Sequence, residues 1–272
     1  MRQLHSLTGL VPASAFVVLH LATGAQSLRG QQAFDTAVAR TSELPFWPAA
    51  ELLGLFVPLA YHIGFGACRV VRSRPNFLAY PWSRNWAYLG QRLSGAALLV
   101  FLCLHLWQFR LQVALGQMNR SDYFSELCAR LASTGTGGAP WVAIGFLVAL
   151  AAVSFHLGNG LQGLVGSWGI ARSLRANRWL SVAFGLVGVA LFVVGASTVL
   201  YFATGTRIGV SSDASRVRQG TSCPEPRAQH FVPPMHPGHS EASSSTAADR
   251  TGDTSLDRTP SPPRQKPPGT QP

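Results

Sequence analysis

Residues 154–170 read SFHLGNGLQGLVGSWGI, a helix-length apolar stretch that holds one histidine, His156, followed by Gly158, Gly160, Gly163 and Gly166. A helix in water avoids so many glycines, because each costs about 1 kcal/mol relative to alanine. In a bilayer the same residues let a neighbouring helix or a flat ligand approach the backbone closely. A histidine beside such a surface points to a planar, metal-centred ligand. That reading requires partner histidines at matching depth.

The rest of the chain is a membrane chain. Its 272 residues are 47% hydrophobic and only 12% charged, an unusual balance for a soluble surface. Five stretches, at about 4–28, 48–71, 88–112, 140–168 and 179–204, are apolar over the roughly 20 residues a bilayer requires. Of the 11 acidic residues, only Glu51 falls inside a span. The net charge of +11 lies mostly at span ends and in the tail. This distribution suits lipid headgroups and topology signalling better than a nucleic-acid groove, and no nucleic-acid partner is expected. The first stretch reads as a span rather than a cleaved signal, since it is longer than a signal core and contains His20.

Arginine placement orients the spans. Arg2, Arg69, Arg72, Arg74, Arg84, Arg92, Arg172, Arg175 and Arg178 fall on one side, against Arg29, Arg40, Arg110, Arg120 and Arg130 on the other. Positive residues favour the cytoplasm, so the amino terminus is expected inside and the carboxy-terminal tail outside. Residues 1–206 form the membrane domain. Residues 207–272 hold 11 of the 18 prolines, are rich in Ser, Thr and Arg, and are expected to be disordered.

Each of the first four spans carries a histidine near mid-membrane. His20 and His105 lie 16 and 17 residues from the inner starts of spans one and three, roughly 25 Å above the inner face at 1.5 Å per residue. His62 and His156 lie 9 and 12 residues from the inner ends of spans two and four, roughly 14 to 18 Å from the same face. The two strata imply two sites, His20 with His105 towards the outside and His62 with His156 towards the inside. A lone histidine in an apolar helix is commonly a satisfied core residue, but four at two levels are hard to explain that way, and ionisable groups inside a membrane are costly. Zinc calls for cysteines or carboxylates close by, and these spans offer no such cluster. Two bis-histidine b haems fit better.

Cys68, Cys103, Cys128 and Cys223 contain no C-x-x-C pair, which argues against c-type haem and cysteine-ligated iron–sulfur clusters. Cys128 and Cys223 both fall on the expected outer side, where either a disulfide or two free thiols is chemically permitted. His230, His236 and His239 beside Met235 lie in proline-rich sequence that offers a metal no fixed geometry.

Four runs carry a family resemblance: QLHSLTGLVP at 3–12, AELLGLFVPLAYH at 50–62, RNWAYLGQRLSG at 84–95, and FHLGNGLQGLVGSWGI at 155–170. Together with the positions of His20 and His105 they resemble the cytochrome b anchor of succinate dehydrogenases and fumarate reductases, in its single-chain, five-helix, two-haem form. The resemblance covers residues 2–204. It implies an all-α integral membrane bundle with two haems b between the first four helices. It also implies a flavoprotein subunit and an iron–sulfur subunit docked on the cytoplasmic side, in a bacterial cytoplasmic membrane. Electrons from succinate would pass through the inner and outer haems to a quinone, with menaquinone favoured. The family takes axial ligands from spans one and three and from spans two and four, which matches the pairs reached from depth.

Within that resemblance, Glu51, eleven residues before His62, is the candidate proton carrier of a quinone site near the outer haem. Capping or snorkelling is its structural alternative, and Asp35 and Glu43 are weaker candidates. His5 and Arg92 are candidate contacts to the inner haem propionates. Trp82, Trp86, Trp107, Trp141, Trp168 and Trp179 mark span ends as interfacial anchors. With no flavin motif the chain is not expected to oxidise succinate alone. Two other readings of the histidines stay open: the dihaem anchor of a hydrogenase or formate dehydrogenase, and a haem-free proton-coupled transporter.

Overall fold

The computed structural model describes residues 2–43, 46–72, 78–171 and 173–206. The expected disordered tail, with Cys223 and its three histidines, lies outside the described residues, as do Arg74 and Arg172. Among the described residues every regular element is helical. Five helices are long and apolar enough to cross a membrane: Gln3–Arg29, Trp47–Arg72, Ser83–Ala114, Trp141–Ser167 and Leu174–Thr204. They are spans one to five below. Their outward faces are Leu- and Val-rich, with Leu186, Val189 and Val193 more than half exposed, as lipid contact requires.

The spans start and stop close to the expected positions, except that the third and fifth begin five residues earlier than expected. Their first turns carry Arg84 and Arg175, so hydropathy hides them while the backbone continues as helix into the headgroup layer. Ser173 starts the fifth span by accepting a hydrogen bond from the Ala176 amide at 3.1 Å, a serine N-cap. Gly205, at φ 71°, ends it, a left-handed position that glycine adopts without strain.

Spans one to three are each interrupted by a π-helical turn, at Gly9–Ala13, Leu52–Phe56 and Leu106–Leu111. Pro12 lies inside the first and Pro58 closely follows the second. Proline lacks the amide that would close the ordinary turn, so the helix widens there. The third turn begins at the residue after His105 and contains neither proline nor glycine. Such widenings re-aim the side chains beyond them and are frequent at functional sites.

The fourth span packs on the third and the fifth, and the fifth also packs on the first. The contact between spans four and five is backbone against backbone. A Cβ on Gly188 would lie 2.8 Å from the Ser154 carbonyl oxygen, and one on Gly158 would lie 3.0 Å from that of Phe184. Gly188→Ala is therefore expected to push the two spans apart and destabilise the fold by about 1 to 3 kcal/mol. Thermal melts in detergent check this against Gly185→Ala, whose Cβ would meet nothing within 4 Å and which should melt like the parent.

Two connections assigned no structure from sequence are helical. Gln31–Ser42 follows span one, and Tyr123–Leu131 follows span three. Asn119 and Asp122 form a capping box just before the second. These helices close one end of the bundle through Phe34, Phe124 and Phe202, whose rings meet edge-on with centres 5.2 to 6.1 Å apart. Phe124 and Leu131 are 1% exposed. This capped end is the expected outer side, and the opposite, amino-terminal end is the expected inner side.

Candidate cofactor and quinone site

Between the spans runs one cavity of about 1540 Å³, lined by His5, His20, His62, His105 and His156. It exceeds the 300 to 1,000 Å³ of a site for one small ligand. The four mid-membrane histidines meet in the two expected pairs. The rings of His20 and His105 have centres 5.7 Å apart at 86°. Those of His62 and His156 lie 6.2 Å apart at 77°. A first-row metal binds an imidazole nitrogen at about 2 Å, so two imidazoles on opposite sides of one ion have centres about 6 Å apart. Both pairs fit a centrally bound iron with two axial ligands.

The surroundings of the pairs differ in chemistry. Towards the capped end the cage is aromatic. Phe16 stacks on His20 at 5.5 Å and Phe101 on His105 at 5.3 Å, each from four residues earlier on the same helix face. Phe109 and Phe146 close on His105 from other directions. The Nδ1 atom of His105 is buried with no hydrogen-bond partner.

Towards the amino-terminal end the cage is polar. His62 Nδ1 lies 3.0 Å from the His5 carbonyl oxygen. A carbonyl only accepts, so Nδ1 carries the ring proton and Nε2 keeps its lone pair for a metal. His5 also stacks on His62 with centres 4.2 Å apart, and its own Nδ1 is buried without a partner. On the other ring, His156 Nδ1 lies 3.1 Å from Ser94 Oγ. Gln91 Nε2 donates to the His156 carbonyl at 3.1 Å, and Asn159 donates to Gln91 Oε1 at 2.8 Å. Small residues leave the rings room, since a Cβ on Gly9 would sit 2.5 Å from His62 Nδ1 and one on Gly95 would sit 3.2 Å from His156 Cε1. Arg92 lines the same cavity, donates to the Val70 carbonyl, and stacks on Tyr88 at 5.0 Å.

Glu51 ends the short helix that opens span two. It does not cap that helix and is largely withdrawn from the surface. Arg110 grips it with Nε to Oε1 at 3.1 Å and Nη2 to Oε2 at 2.9 Å, and its side chain is 11% exposed. This two-pronged geometry is the strong form of the arginine–carboxylate contact. Tyr123, just outside the spans, lines the cavity with them. Burial pushes its phenol above the ordinary range, Arg120 and Arg110 pull it down, and Glu51 pushes it up. Its hydroxyl therefore remains a donor at neutral pH.

Sequence reasoning missed Ser94, Gln91, Asn159, Phe16, Phe101, Arg110 and Tyr123. Ser94, Gln91, Asn159 and Arg110 signalled themselves by standing in apolar spans, and the two phenylalanines by their four-residue spacing from histidine; Tyr123, outside the spans, carried no such signal.

The comparisons with known proteins point to one family. The profile of the succinate dehydrogenase/fumarate reductase transmembrane subunit matches residues 74–195. The succinate dehydrogenase cytochrome b558 subunit of Bacillus subtilis (strain 168) is 30% identical over 201 residues, spanning 74% of this chain and 95% of that relative. The chain belongs to the succinate dehydrogenase/fumarate reductase transmembrane subunit family. No solved structure matches it significantly. In this transmembrane subunit the family match spans the third, fourth and most of the fifth helix. The matched segment contains His105 and His156.

Proposed function

We propose that this transmembrane subunit is a dihaem cytochrome b that carries electrons between an iron–sulfur subunit and menaquinone. The observation that supports this most is the pair of histidine couples, 5.7 and 6.2 Å apart, at two levels of one cavity. His62 and His156 hold the inner haem, and His20 and His105 the outer. Bound there, the two haems supply one-electron transfer across the width of the membrane.

The chain's own part is to bind, orient and exclude water. The His5 carbonyl fixes the tautomer of His62, and the phenylalanines wall off His20 and His105. The His5 ring and Arg92, both at the amino-terminal end, are placed to meet the inner haem propionates, and the buried, unpartnered His5 Nδ1 suits such a contact. The amino-terminal end faces the cytoplasm of a bacterial cell and receives the iron–sulfur subunit, with the flavoprotein subunit beyond it. Residues 1–206 are the membrane domain.

At the capped end Glu51 handles the quinone proton. Arg110 holds the carboxylate against the cavity, and the protonated Tyr123 stands beside them as a donor. Glu51→Gln keeps the shape and removes the charge. It is expected to lower quinone turnover by the intact complex about 100-fold while both haems remain, as read by steady-state quinone reduction beside a haem spectrum.

Isolating the complex through a tag on this chain tests the functional reading. Succinate added to the purified complex should reduce the haem bands, and covalent or tightly bound flavin should co-purify. A haem protein that isolates without flavin and stays oxidised in succinate would assign the subunit to a different oxidoreductase.

A further inference from the structure

Ser94 is a buried hydroxyl, 8% exposed, in the membrane-spanning part of the third helix. Its Oγ lies 3.1 Å from the Gln91 carbonyl oxygen and 3.1 Å from His156 Nδ1. A serine hydroxyl has one proton to give, and a carbonyl oxygen can only accept. That proton goes to Gln91, which leaves the Ser94 oxygen to accept from His156. The imidazole proton is thereby placed on Nδ1, and Nε2 keeps the lone pair that faces the cavity.

We propose that Ser94 is a positioning residue for the inner haem, fixing the tautomer and rotation of His156 and raising the ring's electron donation to iron. This rests on the two-haem reading above. The same ring is fixed from its backbone side: Gln91 Nε2 holds the His156 carbonyl, and Asn159 holds Gln91 Oε1 at 2.8 Å and the Ala87 carbonyl at 3.3 Å. Gly95 leaves the ring space to lie flat against the third helix. Small apolar residues would join these two spans without one buried and two part-buried polar side chains. In a membrane such groups are costly unless every one of them is satisfied. Here the network ends on the one ring nitrogen that a metal ligand leaves free, the place where outer partners orient a histidine and tune its basicity. His105 has no counterpart, since its Nδ1 is buried and unpartnered. The influence of Ser94 is therefore confined to one of the two sites.

The test is a redox titration of the intact complex carrying Ser94→Ala or Ser94→Thr, followed in the haem absorption bands. Ser94→Ala should keep two haems per chain and shift the midpoint potential of one of them upward, because a less electron-rich imidazole stabilises ferric iron less. The other haem should not move, and Ser94→Thr, which retains the hydroxyl, should titrate like the parent. Loss of one haem in the alanine variant with retention in the threonine variant supports the same role. An alanine variant that titrates like the parent overturns it, as do equal shifts or equal haem loss in both variants. A parent protein without haem would overturn the two-haem reading itself, and that is read before any variant is compared.

Discussion

Replacing His105 with alanine is expected to halve the haem content, from two b haems per chain to one. On the two-haem reading His20, which stacks on Phe16 and meets the His105 ring, would be left as the outer haem's single ligand among these two histidines. His62 and His156 sit at the other level with their own hydrogen bonds and should keep theirs. A pyridine haemochrome assay on equal amounts of purified protein reads the number directly. His156→Ala should do the converse and remove the inner haem. If either variant lost both haems while remaining folded, the two-site assignment would fail.

The second large effect is expected at Gly9, a residue that ligates nothing itself but packs directly against His62. Valine there would place a Cβ 2.5 Å from His62 Nδ1. That ring has little freedom to retreat, since it is bonded to the His5 carbonyl at 3.0 Å and stacked against the His5 ring. Gly9→Val should therefore displace His62 and cost most of the inner haem while sparing the outer one. Gly54→Ala, whose Cβ would meet nothing within 4 Å, should bind both. Two intact haems with parental spectra in Gly9→Val would mean that His62 is not held as described.

The histidine pairing was legible from sequence because it depends on distance along each helix, and rise per residue is nearly constant. Even the five extra residues at the start of span three lie at the end remote from His105 and leave its level unchanged. What could not be read is rotation about the helix axis. The π turns in spans one to three break the 3.6-residue period, so the face presented by Arg110, inside one of them, cannot be counted from the helix start. Its partner Glu51 is 59 residues away. The same holds for Ser94 against His156, on two different spans. The helix Tyr123–Leu131, by contrast, was within reach: Phe124, Cys128 and Leu131 recur at helical spacing and are its buried residues, behind an Asn119 to Asp122 cap. Its apolar face is short and amphipathic, so it does not stand out by hydropathy beside the long apolar spans.

The proposed function requires two irons held by four histidines. A reduced-minus-oxidised spectrum with pyridine haemochrome quantitation of the purified, folded protein tests that most directly. Two b haems per chain are expected, and folded protein with no haem would contradict the proposed function.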